Sequence, residues 1–207
     1  MYMNKKFKGF TIVETIVAIA IFILGTMATV LVYSRIIQNK SYTLEMGKSA
    51  FVVSRSVGDL VKHLRRARQS DNGSYPIVSA AANDLVFYSD YNKDGITEKL
   101  HIYLSGNKVY MAIRIPSSTF PVTYAAGYET PVQIADSIVN TGSDAMFTYF
   151  DRNYPASTEL SYPIDVSNVR LVKIFLKINI NPNRSPDNIQ QETFVELRNL
   201  NDYDRIH

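Results

Sequence analysis

One feature limits this chain more than any other: from Thr15 to Ser34 there are 20 consecutive residues without a charge. At about 1.5 Å rise per residue an α-helix of that length spans about 30 Å, the thickness of a bilayer hydrocarbon core. The run is apolar all round, so no periodicity assigns it a buried face. A soluble protein could hide such a helix only inside a large core, and 207 residues leave little chain to build one. The expectation is a helix that spans a membrane.

The flanks orient it. Before the run stands MYMNKKFKG, whose charged side chains are Lys5, Lys6 and Lys8. Basic residues ahead of a span hold that end in the cytoplasm, which places the following chain on the outer side. The whole chain carries 22 Lys+Arg against 19 Asp+Glu, so these three lysines account for the entire excess of +3. A secretory signal would show small residues at a cleavage site after the apolar stretch. Here Arg35, Gln38, Asn39 and Lys40 follow instead. The unusual residues lie in front: Gly9-Phe10 precedes the run, and Glu14 sits almost within it. An ionisable group at that depth needs a partner. Cleavage between Gly9 and Phe10 would create one, because the new α-amino group would lie four residues before Glu14, on the same helical face. The pair could close within one chain or between staggered neighbours, and the second arrangement would fix an axial offset.

The segment KGFTIVE followed by a long apolar helix resembles the class III leader of type IV pilins and of the pseudopilins of type II secretion. The resemblance implies a prepilin peptidase that cuts after Gly9 and N-methylates Phe10. It makes Glu14 the glutamate at the fifth mature position, which sets subunit register during assembly. It also implies a lollipop-shaped α+β fold, with a long N-terminal helix packed on an antiparallel β-sheet head. The expected organisation is a cleaved leader over 1–9, a membrane-spanning and filament-core helix over 10–35, an amphipathic continuation over 36–72 and a β-rich head over 73–207. The partners so implied are other pilin or pseudopilin subunits, the peptidase and an inner-membrane assembly platform. No proline precedes Pro76, so the helix lacks the kink that many major pilins carry.

Beyond the span the periodicity supports this organisation. Val53, Val57, Leu60, Val61, Leu64 and Ala67 recur at helical spacing, and Arg65, Arg66 and Arg68 crowd the last turn before Asp71-Asn72-Gly73. Alternation then takes over. Strands are expected over 84–90, 98–105 and 107–115, joined by turns at Asn92–Gly95 and Gly106-Asn107. Residues 116–165 read as loop-rich, with a short strand over 146–151. Further strands are expected over 169–180 and 193–200, with a turn at Asn181-Pro182-Asn183 between them. This head resembles the larger minor subunits, the J-type minor pseudopilin and the W-type minor pilin. Glu14 speaks against the tip-capping pseudopilin, which usually lacks that carboxylate.

Two further clusters are candidates for binding. Asp90, Asn92 and Asp94 with Gly95 match the first half of an EF-hand loop, with Glu98 at the ninth position. His101 stands where the bidentate glutamate belongs, and strands flank the loop. Two readings stay open: a calcium site on a hairpin, using Asp90, Asn92, Asp94 and Glu98, or an ordinary turn. The basic cluster of Lys62, Arg65, Arg66 and Arg68 is either a solvated helix end or a docking surface for acidic neighbours or DNA.

Composition excludes much else. Cysteine is absent, which removes disulfides, thiolate metal sites and a thiol nucleophile. The three histidines, His63, His101 and His207, are scattered. No G-x-S-x-G, H-E-x-x-H, Walker A or dinucleotide pattern occurs, so the expectation is a protein without catalytic activity. The 14 tyrosines suit sheet surfaces with one wet edge, or a carbohydrate or protein contact surface. The main alternative to a filament subunit is an anchored extracytoplasmic binding module, for DNA uptake or adhesion, that uses the helix only as a tether.

Overall fold

The computed structural model describes residues 9–125, 127, 129–179 and 188–200, with the backbone alone at helical positions 39, 41, 42, 45 and 49. The leader before Gly9, including its three lysines, lies outside the described residues, as do Ile180 and the expected turn at Asn181-Pro182-Asn183. The chain divides into two units, Met1–Glu45 and Met46–His207.

The first unit contains the start of helix α1 (Ile12–Arg65). Its stretch Ile12–Gln38 is long and apolar enough to cross a membrane, and its side chains are exposed. Hydroxyls within it are satisfied locally. Thr15 donates to the Thr11 carbonyl (3.2 Å), Thr26 to Phe22 (3.0 Å), Thr29 to Gly25 (2.8 Å) and Ser34 to Leu31 (2.8 Å). Each bond returns to the preceding turn, so the polar groups need no water, the condition a hydrocarbon surrounding imposes.

In the second unit the same helix changes character. Val53, Val57, Leu60 and Leu64 are buried on one face, and Ala67 follows them into the core. The helix ends at Arg65, short of the expected continuation to residue 72. The reason is competition from a strand. Ala67 forms an antiparallel bridge with Ser89, the Arg68 N–H donates to the Tyr88 carbonyl (3.0 Å), and Ser89 Oγ donates to the His63 carbonyl (3.0 Å). Backbone groups left over at a helix end are thus taken up by the sheet.

The head holds two antiparallel sheets instead of the single one expected. The first has the order β1-β2-β3-β4-β5, with β1 (Ile77–Ala80), β2 (Asp84–Ser89), β3 (Glu98–Ser105), β4 (Lys108–Arg114) and β5 (Val132–Ala135). Strands β2, β3 and β4 fall where alternation places them. Their turns need positive φ, which Gly95 (92°) and Gly106 (60°) supply. The edge strands β1 and β5 have four residues each, too short to show a period. The second sheet has the order β6-β7-β8, with β6 (Phe147–Phe150), β7 (Leu171–Ile178) and β8 (Ile189–Glu196). On β7, Val172, Ile174, Leu176 and Ile178 face the core, the pattern expected from their alternation. Strand β8 lies four residues earlier than expected. Arg198–Leu200 turns as a short 3₁₀ segment that buries Leu200, and the Asn199 amide donates to the Ala67 carbonyl at 2.8 Å. The two sheets share one core and are joined at residues 81–83. There Ala81 accepts from the Tyr149 hydroxyl (2.9 Å) and Ala82 from the Phe147 N–H (2.8 Å).

Candidate functional site

The site of interest is the junction at Gly9-Phe10 and the helix start behind it. Gly9 and Phe10 precede the helix, both exposed, and apart from Gly9 and its chain neighbours nothing described lies within 4 Å of where a Cβ on Gly9 would stand. A protease can reach such a backbone. Thr11 caps the helix. Glu14 Oε2 accepts from the Thr11 N–H and from the Thr11 hydroxyl, both at 2.9 Å, while Thr11 Oγ1 accepts from the Glu14 N–H at 3.2 Å. This is a reciprocal capping box. Glu14 therefore has a partner that the sequence reading did not name. The signal was present, since Thr11-Ile12-Val13-Glu14 is the T-x-x-E pattern that opens an apolar helix. Among the described residues only one carboxylate oxygen of Glu14 is used, and Oε1 carries no hydrogen bond.

The hairpin between β2 and β3 is built as a closed set of turns. Asp94 Oδ1 accepts from the Ile96 N–H (2.8 Å), Asn92 Oδ1 from the Asp94 N–H (3.1 Å), and Asp90 Oδ2 from the Gly95 N–H (3.2 Å). Glu98 is 3% exposed and its Oε2 accepts from the Tyr91 N–H at 2.8 Å. Burial raises its carboxyl above the usual range, and Asp94 and Asp90 add to the effect while the Tyr91 N–H opposes it. Asp94 is held below the usual range by the Ile96 N–H and the Asn92 amide. The expected calcium ligands are not gathered around a common point. Among the described residues no group of three or more His, Cys, Asp or Glu side chains is placed to hold a metal ion. One oxygen each of Asp90, Asn92, Asp94 and Glu98 caps a backbone N–H of the turn, while Asp90 Oδ1 is buried without a hydrogen-bond partner.

The basic cluster is likewise divided. Lys62 pairs with Asp59 one turn back at 2.9 Å. Arg68 leaves the cluster and clamps the hairpin, donating to Thr97 Oγ1 (2.9 Å) and to the Gly95 carbonyl (2.5 Å), with Asp90 at 3.8 Å. Arg65 and Arg66 make no ion pair among the described residues. Next to them His63 stacks on Tyr91 with ring centroids 4.8 Å apart, and its Nδ1 is buried without a hydrogen-bond partner. The sequence offered no signal for this stack, since the two residues meet only through tertiary packing.

Residues 4–30 match the family model described as the prokaryotic N-terminal methylation motif. The N-terminal segment thus has the character of a class III prepilin leader, the kind found on type IV pilin-like proteins. The long apolar helix followed by antiparallel sheets has the α+β architecture that goes with it. A leader of this kind points to a structural subunit, to processing by a prepilin peptidase and to assembly with other pilin subunits. Together with the apolar helix it is consistent with anchoring in the inner membrane. No curated protein matches the chain.

Proposed function

We propose that the chain is a minor subunit of a type IV pilus or type II secretion pseudopilus. In this reading it is cut after Gly9, methylated on Phe10 and assembled through α1. The observation that carries this is the exposed Gly9-Phe10 junction, set directly ahead of an apolar helix whose first turn holds one carboxylate. The leader stays in the cytoplasm and the head lies outside the inner membrane, the orientation that lysines before a span favour. The bilayer stores the subunit, and an inner-membrane assembly platform draws it into the fibre, where apolar helices pack together. The J-type minor pseudopilin and the W-type minor pilin are the subclasses its head resembles. The role is structural and calls for no catalytic group.

The geometry at Glu14 supplies a division of labour between its two oxygens. Oε2 holds the helix start through Thr11, which leaves Oε1 for the α-amino group that cleavage creates on Phe10, in the same chain or in a neighbour. In the apolar interior of a fibre a carboxylate without its cation is heavily penalised, so wrong axial offsets are rejected. Glu14→Ala is therefore expected to insert and fold normally but to be lost from sheared filaments, as read by immunoblot of the filament and membrane fractions. Incorporation at the level of the unaltered subunit would remove Glu14 from this role.

A further inference from the structure

The solvent side of the second sheet carries a cavity of about 300 Å³, at the lower end of the range that takes small ligands. Strand register builds it. Thr148 on β6 stands opposite Lys173 on β7, and Phe175 on β7 stands opposite Glu192 on β8, all on the face turned away from Val172, Ile174 and Leu176. Two walls are fixed before any ligand arrives. The Tyr162 hydroxyl donates to the Phe147 carbonyl at 2.7 Å, and its ring meets Tyr149 edge-on at 6.4 Å. Asp144 is held by the Thr141 hydroxyl at 3.0 Å and by Lys177 Nζ at 3.4 Å.

Against these fixed walls, three charged side chains lining the cavity are uncommitted. Lys173, Glu159 and Glu192 make no hydrogen bond or ion pair among the described residues. This set discriminates between ligand classes. A cation would meet Lys173, an anion would meet Glu159 and Glu192, and a purely apolar ligand would strip water from all three without replacing its hydrogen bonds. A polyhydroxy ring satisfies every group. Its hydroxyls donate to the carboxylates and accept from the ammonium, while its C–H face covers the rings of Phe175 and Tyr162. We propose that this cavity binds a saccharide of about one ring. Every residue that lines it belongs to the head.

The test uses the full-length protein in detergent micelles. Saturation-transfer-difference NMR is run with glucose, galactose, mannose and N-acetylglucosamine in turn. Transfer to at least one sugar is expected, with binding at least tenfold weaker in Lys173→Ala and in Glu192→Ala. Both positions face solvent on paired strands, and an unchanged thermal midpoint would show that the head remains folded. Phe175→Leu, which keeps the apolar volume but removes the ring, should weaken binding by a smaller factor. No transfer to any of the four sugars would overturn the proposal, as would binding by the lysine and glutamate variants as strong as that of the unaltered protein. Preferential binding of N-acetyl-lysine methylamide would also overturn it, in favour of a peptide side chain.

Discussion

The two ends of α1 have the same backbone geometry and opposite physics. Between Ile12 and Gln38 the helix is apolar on every side and its side chains are exposed. Between Val53 and Leu64 it is apolar on one side only, and that side is buried. Helix length cannot distinguish them. What does is the match between side-chain pattern and surroundings: one stretch requires an apolar solvent or apolar neighbours, and the other brings its own sheet. The apolar stretch also satisfies its hydroxyls on its own turns, whereas in the second unit Ser56 Oγ donates to the Ile134 carbonyl, 78 positions away, at 2.6 Å. A single helix is therefore apolar and long enough to cross a membrane at one end and part of a folded core at the other.

Substitutions at matched positions should separate the two roles. Leu60 is buried against the sheet, and Leu60→Ala is expected to cost about 2–5 kcal/mol, read as a large drop in the thermal midpoint of the full-length protein. Leu24→Ala, in the exposed stretch, should leave that midpoint unchanged. Leu24→Asp should reverse the comparison. It adds about 3 kcal/mol to insertion at the centre of the span and should deplete the membrane fraction without altering head stability. Equal effects of Leu60→Ala and Leu24→Ala on the midpoint would break the distinction.

Smaller effects sharpen it. Thr11→Ala removes the cap and should destabilise the first turn by about 1 kcal/mol, seen as about fivefold faster hydrogen exchange of the amides after Ile12. The head should also respond to pH through His63. Burial holds its pKa below 6.5, Arg66 and Lys62 push in the same direction, and Asp59 opposes them. The unfolded imidazole takes up a proton near pH 6.5 while the folded one resists, so this contribution to stability is lost as pH falls below that value. His63→Phe, which keeps the stack on Tyr91, should flatten the fall in thermal midpoint between pH 6.5 and acid. An unchanged acid slope would show that the buried Nδ1 does not matter.

The sequence was informative where one local rule sufficed. The span follows from an uncharged run, the buried helix face from Val53, Val57, Leu60 and Leu64, and β7 from strict alternation. Gly9, Phe10 and Glu14 stand out because each is out of place by an ordinary rule. The remainder depended on partners distant in the chain. Helix α1 stops at Arg65 because Ser89 and Tyr88 take its end, and neither can be inferred from the basic cluster itself. Arg68 reads as part of that cluster, yet it reaches Thr97 and Gly95. The hairpin carboxylates suggest a calcium loop by spacing, but spacing does not show that one oxygen of each caps a backbone N–H of the turn. Edge strands β1 and β5 are too short to carry a period, and one expected sheet became two because the joint at residues 81–83 has no signature of its own.

The central claim is that Gly9-Phe10 is a processing junction that yields a methylated, assembly-competent subunit. Intact-mass and N-terminal peptide spectrometry on protein taken from native membranes tests it most directly. A mature chain beginning at Phe10 with one added methyl group is the result expected. A chain that retains Met1 to Gly9, in cells with an active prepilin peptidase, would contradict it and leave the helix as a permanent anchor for the head.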